Sequence, residues 1–167
     1  STSLLTLLLN DNKLSGNLPE SFASMKNLER MVLSNNQLSG SIPQSYGALS
    51  KLMWMFLSNN SLSGSLPDLS RMQSLESLQL KYNQLSGSID ESVGTLPRIL
   101  EISLPGNQLS GRVPDSIALL DHQLSRLDLS HNQLTELSDD LDLNVYQCFL
   151  QDNPFRCPIP DWAKQNC

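Results

Sequence analysis

Large aromatic rings are scarce in this chain, at 5% of 167 residues, so a core built around them is excluded and the 39% of hydrophobic residues must fill it mainly with aliphatic side chains. Long apolar runs are missing too. No stretch approaches the roughly 20 residues that cross a bilayer as a helix, so direct membrane insertion of this piece is not expected. The lysines and arginines form no run and the net charge of −6 is thinly spread, which makes nucleic acid and anionic membrane surfaces poor partners. Only two histidines and three cysteines occur, with no CxxC pair, so a metal site is not expected. A Gly-rich phosphate loop is also lacking, and no cofactor is implied. The apolar start at residues 1–9 is too short and lacks the basic flank of a signal peptide. It fits a repeat instead.

What the chain does have is self-similarity. Asn12, Asn36, Asn60, Asn83, Asn107, Asn132 and Asn153 are spaced by 24, 24, 23, 24, 25 and 21 residues, each within the pattern LxxLxLxxNxL. Three residues before each Asn stand Leu9, Leu33, Leu57, Leu80, Leu104, Leu129 and Leu150, and five before it Leu7, Met31, Met55, Leu78, Ile102, Leu127 and Cys148. That alternation is a strand's, and both columns must turn inward to stack on the next coil, because one repeat cannot bury its own apolar side. The Asn column is expected inside as well, as a structural ladder whose amides bond backbone groups of neighbouring turns.

A second signature follows each strand: LSGNLP, LSGSIP, LSGSLP, LSGSID and LSGRVP, beginning at residues 14, 38, 62, 85 and 109. Its Gly permits a tight bend and its next apolar residue returns to the core. Phe22, Tyr46, Leu69, Val93 and Ile117 then add one core contact per coil. The combined motif LxxLxLxxNxLSGxIPxx resembles the plant-type leucine-rich repeat of plant receptor-kinase ectodomains, polygalacturonase-inhibiting proteins and protist surface or secreted proteins. The resemblance covers essentially the whole chain. It implies an α/β-type solenoid: a right-handed coil with a concave parallel β-sheet and an irregular or 3₁₀ convex side, working by binding in an extracellular setting, secreted or on a cell surface.

About six coils are expected over residues 1–147, with the end of the last coil and a cysteine-containing cap over 148–167. The first coil begins at once, without the N-terminal cysteine cap usual in extracellular relatives, which points to earlier repeats outside this sequence. The tail NPFRCPIPDWAKQNC looks like a capping segment of protist surface proteins. Cys157 and Cys167 bracket it and are expected to form a disulfide, with Cys148 as the competing partner for either or as a buried thiol. The sequon at Asn59 marks a glycosylation site near the concave rim.

Asp128, Ser130 and His131 invite comparison with a catalytic triad, but residues so close along one strand seldom converge, and an exposed polar face is expected instead. Asp139, Asp140 and Asp142 lack the loop of a calcium-binding EF-hand and read as a solvated acidic stretch. No catalytic residues are assigned.

Residues between the inward columns must face the concave side. One outward column is Thr6, Arg30, Trp54, Ser77, Glu101, Arg126 and Gln147, and the other Leu8, Val32, Phe56, Gln79, Ser103, Asp128 and Phe149. Leu8, Arg30, Val32, Trp54 and Phe56 gather in the first coils, with Tyr82 at the margin; Gln79, Lys81, Glu101, Arg126 and Asp128 follow. An apolar patch beside mixed charge is the make-up of a protein-binding site. The expected partner is a protein, peptide or glycan, with homo-association through the concave or N-terminal face as the competing use. A structural or adhesive coat or spacer, and an inhibitor of a secreted hydrolase, are the alternative functions.

Overall fold

The computed structural model describes residues 3–120, 122–138, 141, 145–156, 158, 160, 161 and 163. Where the apolar and polar residues alternate, the chain extends: Thr6–Leu8, Arg30–Val32, Trp54–Phe56, Ser77–Gln79, Glu101–Ser103, Arg126–Asp128 and Gln147–Phe149 pair in chain order as a seven-stranded parallel sheet. Equivalent residues sit side by side, Arg30 opposite Trp54, Met31 opposite Met55 and Val32 opposite Phe56. A column read down the repeats is therefore a column in space. Met31, Met55, Leu78, Ile102 and Leu127, with Leu33, Leu57, Leu80, Leu104 and Leu129, are buried in one continuous core.

The expectation of bends in the LSGxIP half needs correction. Ser15–Asn17, Gln37–Ser41, Ser61–Gly64, Gln84–Gly87, Gln108–Arg112 and Gln133–Glu136 form a second parallel sheet of six strands. Pairing with the next coil satisfies backbone groups that a loop would leave to water. The glycines in this sheet do adopt positive φ, between 73° and 86° at Gly16, Gly40, Gly64, Gly87 and Gly111. The pairing is offset from the repeat by two residues, Ser39 opposing Ser61. As a result the Asn17 side chain settles over Gly40, where a Cβ would lie 2.6 Å from Asn17 Oδ1.

Short 3₁₀ turns at Glu20–Ser24, Gln44–Ala48, Glu91–Thr95 and Asp115–Leu120 close the coils and carry Tyr46, Val93 and Ile117 into the core. The Tyr46 hydroxyl donates to the Pro19 carbonyl at 2.9 Å. Burial, and then the charge of Glu20, raise its pKa above the ordinary phenol value. The third coil, one residue shorter, passes this region without such a turn. Its Asp68 carbonyl oxygen lies 2.2 Å from the place a Cβ on Gly47 would take, so glycine there is a matter of space.

The asparagine ladder ties both sheets together. Asn83 Nδ2 donates to Leu57 O at 3.0 Å in the preceding coil and to Leu80 O at 3.1 Å in its own, while Oδ1 accepts from Leu62 N at 3.0 Å, within the second sheet. The same three bonds recur at Asn36, Asn60, Asn107, Asn132 and Asn153. Asn12 differs: it is exposed, and among the described residues its side chain bonds Leu9 O and Asn10 O of its own coil.

Cys148 occupies the inward column of the last strand, where other coils carry Leu, Met or Ile, and it is disulfide-bonded. Cys157 and Cys167 themselves lie outside the described residues.

Two outcomes follow from this scaffold. Asn83→Ala leaves buried backbone groups of two coils without partners and lowers the unfolding free energy by about 1–3 kcal/mol, whereas Asn12→Ala changes it by less than about 0.5 kcal/mol. Urea denaturation of the two variants checks this; equal losses would contradict the ladder's role. Reduction of the disulfide at Cys148 lowers stability by about 2–4 kcal/mol. Intact-mass measurement finding three free thiols in protein made under oxidising conditions would overturn it.

Candidate binding face

Strand alternation sends Arg30, Trp54, Val32 and Phe56 to the concave side, and the register brings them together. Trp54 and Phe56, two residues apart on one strand, stack with centroids 5.7 Å apart and planes 4° from parallel. The Arg30 guanidinium lies over the Trp54 ring, 4.5 Å from its centroid. All four side chains are half-buried rather than lost in the core. Leu8, in the first coil, is 59% exposed.

Farther along, Gln79, Lys81, Tyr82, Glu101, Arg126 and Asp128 line a depression of about 250 Å³ together with Ser103 and Pro105. The strip is cross-linked internally. Arg126 lies 3.1 Å from Asp128 Oδ2 and its Nε 3.7 Å from Glu101 Oε1, and its guanidinium also stands 4.9 Å from the Phe149 ring centroid. Glu101 Oε2 accepts from Ser77 at 3.0 Å and from Gln79 at 2.9 Å. Asp128 was expected as an exposed contact, but it is 8% exposed, held by Arg126 and Ser130. Its charge organises the face more than it meets a partner. Ser103 and Pro105 join this strip through packing, and Pro105 is marked in the sequence only by the departure of the fifth coil's LPGN from LSNN.

Backbone geometry singles out Tyr82. The residue before each ladder Asn has left-handed φ in every coil: Asp11, Asn35, Asn59, Tyr82, Gly106, His131 and Asp152, at 53° to 66°. Short polar residues and glycine tolerate this conformation; a tyrosine in it is a genuine outlier, of the kind found at functional sites. The Tyr82 ring is 57% exposed and leans over Gly106, where a Cβ would fall 2.5 Å from Tyr82 Cδ1.

The triad arrangement is not formed. Ser130 donates to Asp128 Oδ1 at 2.7 Å, while His131 Nδ1 turns the other way, to Asp152 at 3.2 Å. Asn59 is exposed on the rim, its amide donating to Asn35 Oδ1 at 2.6 Å. Asp139, Asp140 and Asp142 lie outside the described residues.

Two stacked parallel sheets, an asparagine ladder and an outward-facing concave grid define a leucine-rich-repeat solenoid. Leucine-rich-repeat family models match residues 2–62, 74–96 and 123–165, and the chain belongs to that family. Within it the likeness is to plant receptor ectodomains. The Arabidopsis receptor kinase HAESA, solved in complex with the peptide hormone IDA and a co-receptor, is 40% identical with a TM-score of 0.90 over 95% of this chain and 27% of its own. The BIR3–SERK2 complex from Arabidopsis thaliana contains a chain 35% identical, with a TM-score of 0.70 over 85% of this chain and 72% of that one. A plant ice-binding protein shares the fold at 28% identity and a TM-score of 0.69, covering 94% and 67%. No curated protein sequence matches. This chain thus spans about a quarter of the length of the first of these receptors.

Because the ring of Tyr82 is mostly exposed and its backbone is strained, Tyr82→Asn leaves stability unchanged or raises it by up to about 1 kcal/mol. A thermal or urea melt tests this, and a loss beyond about 1 kcal/mol would show the ring to be structural.

Proposed function

We propose that this chain is an extracellular recognition module that binds a protein or peptide through its concave face. The carrying observation is the Arg30–Trp54–Phe56 cluster, large side chains left half-exposed on a sheet whose opposite face already supplies a complete core. Such rings anchor partners, because they bring apolar area at a low cost in conformational entropy. The relatives support the same reading: HAESA is described with a peptide hormone, and the PEPR1 structure with AtPEP1. A disulfide at Cys148 agrees with an oxidising, extracellular compartment. Residues 148–167 serve in this reading as the cap of the last coil; Phe155 and Ala163 pack against the core there.

A peptide or protein fits this face better than a glycan. The relatives described with a ligand carry peptides, which favours that class of partner here. A spacer or coat protein has no use for such a cluster, and inhibition of a hydrolase would be one use of the same face.

Selection of phage-displayed random peptides on the folded chain tests the proposal. Peptides enriched on the wild type bind the Trp54→Ala/Phe56→Ala variant more weakly by about 2 kcal/mol or more, while its unfolding free energy falls by less than about 1 kcal/mol. Convex-side Gln44→Ala binds like wild type. Failure to enrich peptides, or equal binding by the double variant, would contradict the proposal.

A further inference from the structure

We infer that the segment this face receives is an extended acidic peptide, with one carboxylate set against Arg30, a second against Lys81, and an apolar stretch lying over Trp54 and Phe56 between them. The inference rests on the peptide-binding reading above and adds the chemistry of the partner.

The chain is acidic overall, at −6, so a basic partner would be the first guess. On the concave sheet, however, the anions are consumed internally. Glu101 is held by Ser77, Gln79 and Arg126, and Asp128 by Arg126 and Ser130. Asp128 is buried as well. The cations are unequally treated: Arg126 has two carboxylates, while Arg30 and Lys81 form no ion pair among the described residues. Glu29 and Glu76, at the start of their strands, pair with neither.

Arg30 carries a second mark. Its guanidinium is fixed over Trp54, yet Nε is buried with no hydrogen-bond acceptor. A carboxylate arriving with a partner meets the outer nitrogens of this pre-oriented planar group, which no acceptor among the described residues occupies, rather than the buried Nε. Lys81 stands at the other side of the cluster, on the rim of the polar depression.

Spacing sets the length of the segment. Lys81 lies two strands beyond Arg30 and four positions farther along the repeat. With strands about 4.8 Å apart and about 3.3 Å per residue, the two Cα positions are roughly 16 Å apart. An extended peptide covers that distance in about five residues.

The test selects phage-displayed random decapeptides on the wild-type chain. Enriched peptides are then titrated calorimetrically beside synthetic counterparts carrying Asn for Asp and Gln for Glu, at low salt and at about 0.5 M salt. The expected peptides carry two acidic residues four to six apart around an apolar one. Their amide counterparts bind wild type roughly ten-fold or more weakly, and acid and amide forms bind Arg30→Gln/Lys81→Gln equally. Affinity for wild type falls with salt, and the double variant loses that dependence. If Arg30→Gln fails to fold, Lys81→Gln alone and Arg30→Lys decide: the first loses the preference for the acid facing it and the second keeps both. Peptides that require Trp54 and Phe56 but show no acidic preference would overturn this inference and leave the peptide-binding reading standing. No enriched peptide at all would overturn both.

Discussion

The structure depends on one constraint: a single coil of this chain cannot satisfy itself. Its strand is three residues long, its apolar side chains have no opposite layer of their own, and the backbone groups at the strand's end point into the interior. The Asn side chain resolves the last problem. A carboxamide offers two donors and an acceptor in one plane, and here it reaches two carbonyls in successive coils and one N–H of the second sheet. Ser or Thr could not span three groups, and Asp would bring a buried charge without donors. The ladder makes each coil the template for the next.

That division of labour frees the concave surface. Inward columns and ladder carry stability, so outward positions can vary from coil to coil at little structural cost. The early coils use this freedom for Arg30, Trp54 and Phe56, and the later ones for an ion-paired strip around Arg126. Tyr82 stands between the two regions in a backbone conformation that the other coils give to Asp, Asn, His or Gly. Parallel strands hold all of these side chains on a rigid grid, which lowers the entropy lost on binding.

Much of this architecture was legible because a period of about 24 residues turns sequence position directly into spatial position. Strand register, the inward columns beyond the first coil and the outward placement of Trp54 and Phe56 follow from alternation alone. The second sheet was not legible. LSG carries glycine and serine, which read as bend residues, and only the neighbouring coil, by accepting the backbone pairing, makes the segment a strand. Burial of Asp128 was hidden for a related reason: alternation gives the face a side chain occupies, while Arg126 and Ser130, which cover and bind it, come from packing. The disulfide at Cys148 could not be read from spacing, since three cysteines allow more than one pairing.

The central claim, that the concave sheet of the first four coils is where a partner lands, is tested most directly by hydrogen–deuterium exchange of the chain with and without a peptide enriched on it. The account predicts slowed exchange in the segments containing residues 30–32, 54–56 and 77–82, with the second sheet and the 3₁₀ turns unchanged. Slowed exchange confined to the second sheet or the convex turns would contradict it.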